Sequence, residues 1–418
     1  MSIRENLISQ AKKAKQAARE LANLSSKDKD KALMLVADKL IARKEEILKI
    51  NKEDMKKGKK EGLSEALLDR LKLNEDRIIS MAEGLRQVAA QEDPIGEVLH
   101  MWKRPNGLQI GKVRVPLGVI GIIYEARPNV TVDVAGLCLK SGNTVLLRGG
   151  SNAFNSNKIL TNIIQGGLKE ANLPEDSVQL IGTTDRKAVD ILFTLNQYLD
   201  VLIPRGGRGL IQKVVNESRV PVIETGVGNC HVYVNKDADL NKAKKIVFNA
   251  KYSRPAVCNS AESLLVDEEI SEKFLPEMAR IFSENNVELR GCEKTRAIVP
   301  YAAEATEEDF GREYLDYIIS VKVVKNYDEA VEHIYKYGTK HSEAIVTENY
   351  TTARNFLNDI DAAAVYVNAS TRFTDGGEFG LGAETGISTQ KLHARGPMGI
   401  KELTTTKYII MGDGQIRE

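Results

Sequence analysis

The residue with the clearest chemical potential is Cys258, which lies in the segment Tyr-Ser-Arg-Pro-Ala-Val-Cys-Asn-Ser-Ala-Glu at residues 252–262. Pro255 cannot donate a backbone hydrogen bond and disfavours helical geometry at Arg254, so the segment is predicted to form a turn or loop. A cysteine on such a loop can meet a ligand as a nucleophile. Most free cysteines, however, are buried and structural. This segment alone leaves both interpretations open.

Composition limits the classes of protein to which the chain can belong. The 418 residues are enough for two or three domains, and 28% charged with 42% hydrophobic residues is typical of a globular protein. A net charge of +1 gives no reason to expect a nucleic-acid or membrane partner. We find neither a signal peptide nor a membrane-spanning run, and therefore expect a cytoplasmic protein.

The cysteines and histidines do not form a metal-binding pattern. Four cysteines are widely spaced without a Cys-x-x-Cys pair, and only five histidines accompany them. Neither a zinc site nor a disulfide framework is predicted.

The elements that must position Cys258 can be read from apolar periodicity. Residues 1–92 have helical patterns over 3–24 and 28–57, and further helices are predicted to start at Ser64 and Glu75. Two strands, 98–102 and 108–115, then flank Pro105-Asn106-Gly107, which is a strong hairpin signal.

From residue 117 onward, buried strands alternate with helices, which predicts two doubly wound parallel α/β domains. Such sheets bind ligands at the carboxyl ends of their strands. The first region has predicted strands at 118–124, 144–148, 178–181, 201–204 and 220–224. The second region has predicted strands at 231–234, 263–266, 297–299, 318–324, 342–346 and 364–367, and residues 404–411 are predicted to form a C-terminal strand.

One glycine pair could bind phosphate. Gly206 and Gly207, in the run Arg-Gly-Gly-Arg-Gly at 205–209, follow a predicted strand and open a predicted helix. The N-terminus of a helix can accept a phosphate group, although the run is not a full G-x-G-x-x-G motif.

Four further stretches occur in order around Cys258: 116–129, which ends in Asn129; Glu-Thr-Gly at 224–226; the segment that contains Glu313; and the glycine-rich 373–386. With these motifs the chain resembles the aldehyde dehydrogenase superfamily over residues 11–411. Within it, the chain is similar to the γ-glutamyl phosphate reductase family. That closer resemblance rests on Val324, Ala330, Val331, His333, Ile334, Tyr337, Gly338, Thr339, His341, Ser342, Glu343 and Ile345.

The resemblance implies an aldehyde dehydrogenase-like fold and reduction of L-γ-glutamyl 5-phosphate by NADPH to glutamate 5-semialdehyde and phosphate, the second step of proline synthesis. It implies that Cys258 is the nucleophile that forms a thioester. Asn129 would donate its side-chain amide to the oxyanion, together with the Cys258 backbone N–H. Without the resemblance, Asn129 would be interpreted as a turn residue after Pro128.

The residues predicted to bind NADP are Arg148, Gly206, Gly207, Glu224 and Glu313. Arg148 ends a strand and is followed by small residues without a carboxylate, which favours NADP over NAD. Glu224 matches the residue that activates water in hydrolytic relatives, a role that exchange with phosphate does not require. Glu313 matches the residue that binds the nicotinamide-side ribose.

Arg127 and Arg254 flank the two catalytic motifs and could pair with the anionic groups of the substrate, or form structural ion pairs.

The predicted domains are an NADP-binding domain (1–96 and 117–225), a catalytic domain (226–390) and an oligomerisation arm (97–116 and 400–418). The arm predicts a homodimer or larger assembly. A separate glutamate kinase would have to supply the substrate, and functional contact with it is expected.

Two other classes of function remain open from the residues. Cys258 with His231 or His393 could form a thiol hydrolase pair, although no protease or esterase motif surrounds the cysteine. The chain could also be a binding protein that keeps only a cofactor fold. The presence of Cys258, Asn129 and Glu313 together argues against the second class.

Overall fold

The computed structural model describes residues 2–125 and 127–417. Ala126, within the motif at 116–129, and the terminal residues Met1 and Glu418 lie outside the described residues. The chain forms two compact units. Unit 1 comprises Met1–Glu224, Gly380–Gly386 and Met398–Glu418, and unit 2 comprises Thr225–Phe379 and Ile387–Pro397. The predicted three-part division with a separate arm stays a prediction.

The helices are α1 (Ile3–Leu21), α2 (Ser26–Ala42), α3 (Lys44–Lys60), α4 (Glu65–Leu71), α5 (Glu75–Ala90), α6 (Asn129–Lys140), α7 (Phe154–Glu170), α8 (Lys187–Leu192), α9 (Arg208–Glu217), α10 (Leu240–Tyr252), α11 (Glu268–Glu284), α12 (Glu293–Ile298), α13 (Glu307–Phe310), α14 (Tyr327–Tyr337) and α15 (Tyr350–Asp359).

The strands are β1 (Val98–Lys103), β2 (Gln109–Pro116), β3 (Val119–Tyr124), β4 (Thr144–Arg148), β5 (Val178–Leu180), β6 (Val201–Arg205), β7 (Cys230–Val234), β8 (Ala261–Asp267), β9 (Glu288–Gly291), β10 (Ala303–Glu304), β11 (Ile318–Val324), β12 (Ser342–Val346), β13 (Ala364–Val367), β14 (Ile387–Ser388), β15 (Gly396–Pro397) and β16 (Thr404–Met411).

The N-terminal helices begin where side chains can cap them. Ser25, Ser64 and Asn74 each accept a hydrogen bond from the backbone two or three residues inside the helix that follows. The predicted single helix over 28–57 is wrong. Arg43, at φ −105° and ψ 19°, separates α2 from α3.

Unit 1 contains a four-stranded parallel sheet in the order β5-β4-β3-β6. Strands β3 and β4 are buried along their full lengths, as their continuous apolar sequences predict. The predicted strand over 220–224 is reduced to one parallel bridge between Val222 and Leu202. Pro221, beside that bridge, has no N–H to add to a ladder.

A second sheet of unit 1 joins the hairpin to the C-terminal strand. Its order is β1-β2-β16, with antiparallel pairing that runs from Thr404 opposite Pro116 to Met411 opposite Gln109. The predicted hairpin is therefore completed by the tail of its own chain.

Unit 2 contains a seven-stranded parallel sheet in the order β10-β9-β11-β8-β7-β12-β13. The strand predicted at 297–299 is wrong, because residues 293–298 form helix α12. Strands β9 and β10 were not predicted. With parallel sheets and covering helices in both units, the predicted α/β fold class is confirmed.

Among the described residues, no helix combines the length and the apolar character needed to cross a membrane.

Candidate active site

The structure places Cys258 in a turn, residues 253–260, between α10 and β8. Cys258 is half-buried, and Arg254 is exposed. Strand β8, which follows, is buried over all of its residues. The buried strand β8 and helix α10 therefore hold the two ends of the turn, while the turn itself reaches the surface of unit 2.

Gly228 brings Cys258 and Glu313 to the same backbone segment. A Cβ atom on Gly228 would lie 1.5 Å from the carbonyl oxygen of Cys258, so no other residue fits without moving the turn. The Gly228 N–H donates to Glu313 Oε1 at 2.8 Å. Two of the residues predicted from separate motifs are thus held through one glycine.

Cys230 supports the same carbonyl group from the start of β7. Its Sγ lies 3.1 Å from the Cys258 oxygen and 3.7 Å from His341 Nδ1. Burial raises the pKa of the Cys230 thiol well above its usual value. Cys230 therefore stays protonated near neutral pH and can donate to Cys258, which is a supporting role and not that of a nucleophile.

Asn259 fixes the other end of the turn with its side chain. Its Nδ2 donates to the Thr374 carbonyl at 2.9 Å and more weakly to the Arg372 carbonyl at 3.3 Å. Its Oδ1 accepts from the Arg372 guanidinium, and its backbone oxygen accepts from Thr371 Oγ1 at 2.7 Å. The asparagine that follows the cysteine is therefore an anchor for the turn.

A buried ion pair closes the base of the turn. Lys251 Nζ and Glu262 Oε2 are 2.6 Å apart, and both side chains are fully buried. Burial lowers the pKa of Lys251 and raises that of Glu262, and the attraction and hydrogen bond between the two groups oppose both shifts by favouring their charged forms. Glu262 Oε1 also accepts from the Leu315 N–H at 3.2 Å, which ties the turn to the segment that carries Glu313.

The 324–345 signature contributes two histidines, His333 and His341, and the carboxylate of Glu343 to the interior of unit 2. Glu343 Oε2 lies 2.9 Å from Nδ1 of His231 in β7, and both side chains are buried. Burial lowers the pKa of His333 to about 2, so that ring stays neutral. His341 Nδ1 lies 2.8 Å from Ser342 Oγ, which is 2.7 Å from Thr374 Oγ1. The signature thus contacts β7 and the anchor of the Cys258 turn, and His231 is bonded to Glu343 rather than to Cys258.

In unit 1, Arg148 ends β4 and is buried, with 8% of its surface exposed. It donates to the carbonyl oxygens of Gly149 at 2.8 Å and Thr184 at 2.9 Å. Its Nε has no hydrogen-bond partner among the described residues. The pKa of Arg148 is lowered, first by burial and then by the nearby Arg186, which is exposed and was not predicted as a site residue.

Gly206 and Gly207 lie between β6 and α9, as predicted. A Cβ on Gly206 would come within 2.8 Å of the Glu125 carboxyl carbon, whereas nothing lies within 4 Å of the corresponding position on Gly207. Gly207 immediately precedes the first residue of α9. The loop therefore keeps space in front of a ten-residue helix, where N–H groups point outward.

Asn129 is the first residue of α6, and its Nδ2 donates to Asp133 Oδ2 at 2.8 Å. Asp133 therefore orients the predicted oxyanion donor, a role that a helical i, i+4 spacing could have signalled.

Arg127 is half-buried, and its backbone N–H donates to the Glu125 carbonyl at 2.8 Å. Glu224 is half-buried at the end of the first segment of unit 1.

Comparisons with known proteins agree with this arrangement. The aldehyde dehydrogenase family profile matches residues 3–312. The gamma-glutamyl phosphate reductase of Halothermothrix orenii is 67% identical over 418 residues, and that of Moorella thermoacetica is 62% identical over 418 residues, with 100% of both chains covered in each case. The crystal structure of gamma-glutamyl phosphate reductase from Thermotoga maritima aligns with a TM-score of 0.94 and 54% identity, over 99% of this chain and 100% of the other.

Proposed function

Because this chain belongs to the aldehyde dehydrogenase family, and within it to the γ-glutamyl phosphate reductases, we propose that it reduces L-γ-glutamyl 5-phosphate to L-glutamate 5-semialdehyde and phosphate with NADPH. This is the second step of proline synthesis from glutamate. The observation that carries the proposal is full-length identity of 67% to a relative of that name, together with a half-buried cysteine on a turn fixed from several sides.

Cys258 is the proposed nucleophile. Its sulfur attacks the acyl carbon, the carbon–oxygen bond to phosphate breaks, and phosphate leaves with the bonding electron pair. When bound, NADPH supplies the hydride that reduces the resulting thioester. The carbon–sulfur bond then breaks, which releases the aldehyde and returns the electron pair to Cys258. Because phosphate is the exchanging group, Glu224 has no water to activate and is proposed as a cofactor contact.

Two donors are proposed for the oxyanion that forms at the acyl carbon. One is the backbone N–H of Cys258, whose turn is held by Gly228, Cys230 and Asn259. The other is the Asn129 amide, on the match of its motif to the family. Asp133 binds one N–H of that amide and so fixes its plane, which leaves the group oriented before substrate arrives.

The residues of unit 1 fit a nicotinamide cofactor with a 2′-phosphate. The buried Nε of Arg148 has no partner among the described residues, and Arg186 adds a second positive charge nearby. Gly206 and Gly207 leave space at the N-terminus of α9 for the pyrophosphate. Glu313 is the proposed ligand of the nicotinamide-side ribose. We infer selectivity for NADP over NAD from the two arginines.

Arg127 and Arg254 are proposed as ligands of the substrate's anionic groups. Arg254 forms no ion pair or hydrogen bond within the described part of the chain, which favours a ligand role over a structural one.

A functional contact with a separate glutamate kinase is proposed because an acyl phosphate hydrolyses readily in water.

We also propose that the β1-β2-β16 sheet joins copies of this chain. Its outer strands expose large apolar side chains, with Val98 51%, Tyr408 59% and Ile410 59% accessible. Exposed apolar edge strands are prone to pair with another chain. Deletion of residues 404–418 should therefore dissociate or aggregate the protein in sedimentation. A truncated protein with the assembly state of the full chain would contradict the proposal.

The reverse reaction provides the direct test of the proposed activity. Purified protein, glutamate semialdehyde and NADP should produce NADPH absorbance only when phosphate or arsenate is present. Equal rates without either anion would place the protein with the hydrolytic enzymes and restore Glu224 as a general base. The absence of NADPH formation under both conditions would contradict the proposed reaction altogether.

A further inference from the structure

Arg372, which lies in a segment after β13, binds both ends of the Cys258 turn. Its Nε donates to Ser253 Oγ at 3.0 Å, and its Nη1 donates to Asn259 Oδ1. Ser253 directly precedes Arg254, and Asn259 directly follows Cys258. The guanidinium is therefore held against the turn that carries Cys258, although Arg372 lies 114 residues along the chain from that cysteine.

No ion pair among the described residues offsets the charge of Arg254 or Arg372, although the Asp375 carboxylate lies within electrostatic reach of Arg372. Arg372 is half-buried, and neither Arg372 nor Arg254 forms an ion pair with any residue that the structure describes. The pKa of Arg372 is lowered, mainly by burial and then by Arg254, which lies within electrostatic reach. A half-buried positive charge that forms no ion pair is costly unless an anion binds it.

We propose that Arg254 and Arg372 form an oxyanion-binding subsite beside Cys258, which holds an anionic group of the substrate while the thiol attacks. The proposal rests on the proposed function for the identity of that substrate. The group is either the phosphate of the acyl phosphate or the carboxylate of the glutamyl moiety. Both offer two or more oxygens that match a guanidinium fork.

The subsite also explains why Arg372 has two roles. Nε and Nη1 fix the turn, and Nη2 makes no hydrogen bond with the described residues. A ligand oxygen can therefore bind Nη2 without disturbing the anchor. Arg254, which forms no ion pair or hydrogen bond with the described residues, would bind the ligand from the exposed side.

The test is the alkylation of Cys258 by iodoacetate compared with neutral iodoacetamide, measured without cofactor by mass spectrometry of the Cys258 peptide. The subsite predicts a preference for iodoacetate in the wild-type protein. Arg254→Met should lower that preference about fivefold, because one positive charge next to the thiol is lost. Arg372→Lys, which keeps the charge but not the fork, should keep more of the preference than Arg372→Met.

The matched control is Arg354→Met, which removes an exposed arginine of α15 that forms no ion pair with any described residue. It should leave the preference unchanged. Protection of Cys258 by inorganic phosphate, lost in Arg254→Met, would assign the subsite to the phosphate group. Protection by L-glutamate, lost in the same variant, would assign it to the carboxylate.

Equal alkylation rates with the two reagents in all variants, with no protection by either anion, would overturn the subsite. That result leaves the proposed reaction intact if the wild-type protein still reduces NADP in the phosphate-dependent assay. Conversely, a failed assay with a charge-dependent alkylation rate would keep the subsite and reject only the proposed substrate.

Discussion

The Cys258 turn and the Gly206-Gly207 loop both depend on a glycine without a side chain. At the first, the missing side chain allows two backbone segments to come close together, and at the second it leaves space open. At the Cys258 turn, Gly228 lets the backbone approach so closely that a Cβ would lie 1.5 Å from the Cys258 oxygen. At the other loop, nothing lies within 4 Å of the Gly207 position. A nucleophile must be held within a fraction of an ångström, whereas a phosphate-binding loop must leave its N–H groups open.

The Cys258 turn is also held by more side chains than the Gly206-Gly207 loop. The Cys258 turn is held by Cys230, Asn259, Arg372 and the Lys251–Glu262 pair. The Gly206-Gly207 loop lies between a buried strand and a helix that has no side-chain cap. An uncapped helix start keeps its donors available for an anionic ligand.

The largest effect is expected from Cys258→Ala, which removes the nucleophile and leaves both loops in place. Turnover should fall at least about a thousandfold, because no other group can form the thioester. Steady-state kinetics measure the loss, and NADP binding by fluorescence should be unchanged. Cys292→Ala is the control and should retain activity, because it removes a half-buried thiol whose Sγ lies 3.3 Å from Thr295 Oγ1. Substantial turnover by Cys258→Ala would refute the covalent mechanism.

The next largest effect is expected from breaking the buried pair under the turn. Lys251→Met leaves the Glu262 carboxylate buried without its cation and should lower the free energy of unfolding by about 3–5 kcal/mol. Chemical denaturation monitored by circular dichroism measures this change. The double variant Lys251→Met with Glu262→Leu should recover much of the stability. A single variant as stable as the wild type would show that the pair does not support the turn.

A direct contrast of the two loops is the pair Gly228→Ala and Gly207→Ala. The first must push the Cys258 carbonyl aside, and a displacement of that size near a nucleophile can cost about a hundredfold in kcat. The second adds a methyl group to open space and should change kcat little. Equal kcat values for the two variants would mean that the close approach at Gly228 has no catalytic consequence.

The smallest effect is expected for cofactor choice. Arg186→Glu should weaken NADP binding about tenfold relative to NAD, since it replaces attraction to a 2′-phosphate with repulsion. Arg148→Glu should do the same and also destabilise the fold, because Arg148 is buried and bonded to Gly149 and Thr184. Titration of both cofactors measures the ratio. Equal weakening of NADP and NAD in Arg186→Glu would remove that residue from the 2′-phosphate site.

Much of the architecture was predictable from the sequence because it depends on local patterns. Buried strands such as β4, β11 and β12 have the predicted bounds, since continuous apolar runs bounded by turn residues specify them. Residues 297–299 form the end of α12 and its C-terminal cap instead of the predicted strand, because periodicity over three residues cannot distinguish a strand from the end of a helix. Strand β9 was missed because only Leu289 and Gly291 of its four residues are buried.

The sequence by itself determined the family, the turn at Cys258 and the glycine pair before α9, because each depends on residues close together in the chain. Only the tertiary structure decided what holds that turn. Cys230 and Arg372 lie 28 and 113 residues from their partners in it. Such contacts arise from the order of strands in the parallel sheet, where neighbours in space are separated by whole helices, and residue spacing alone does not encode that order.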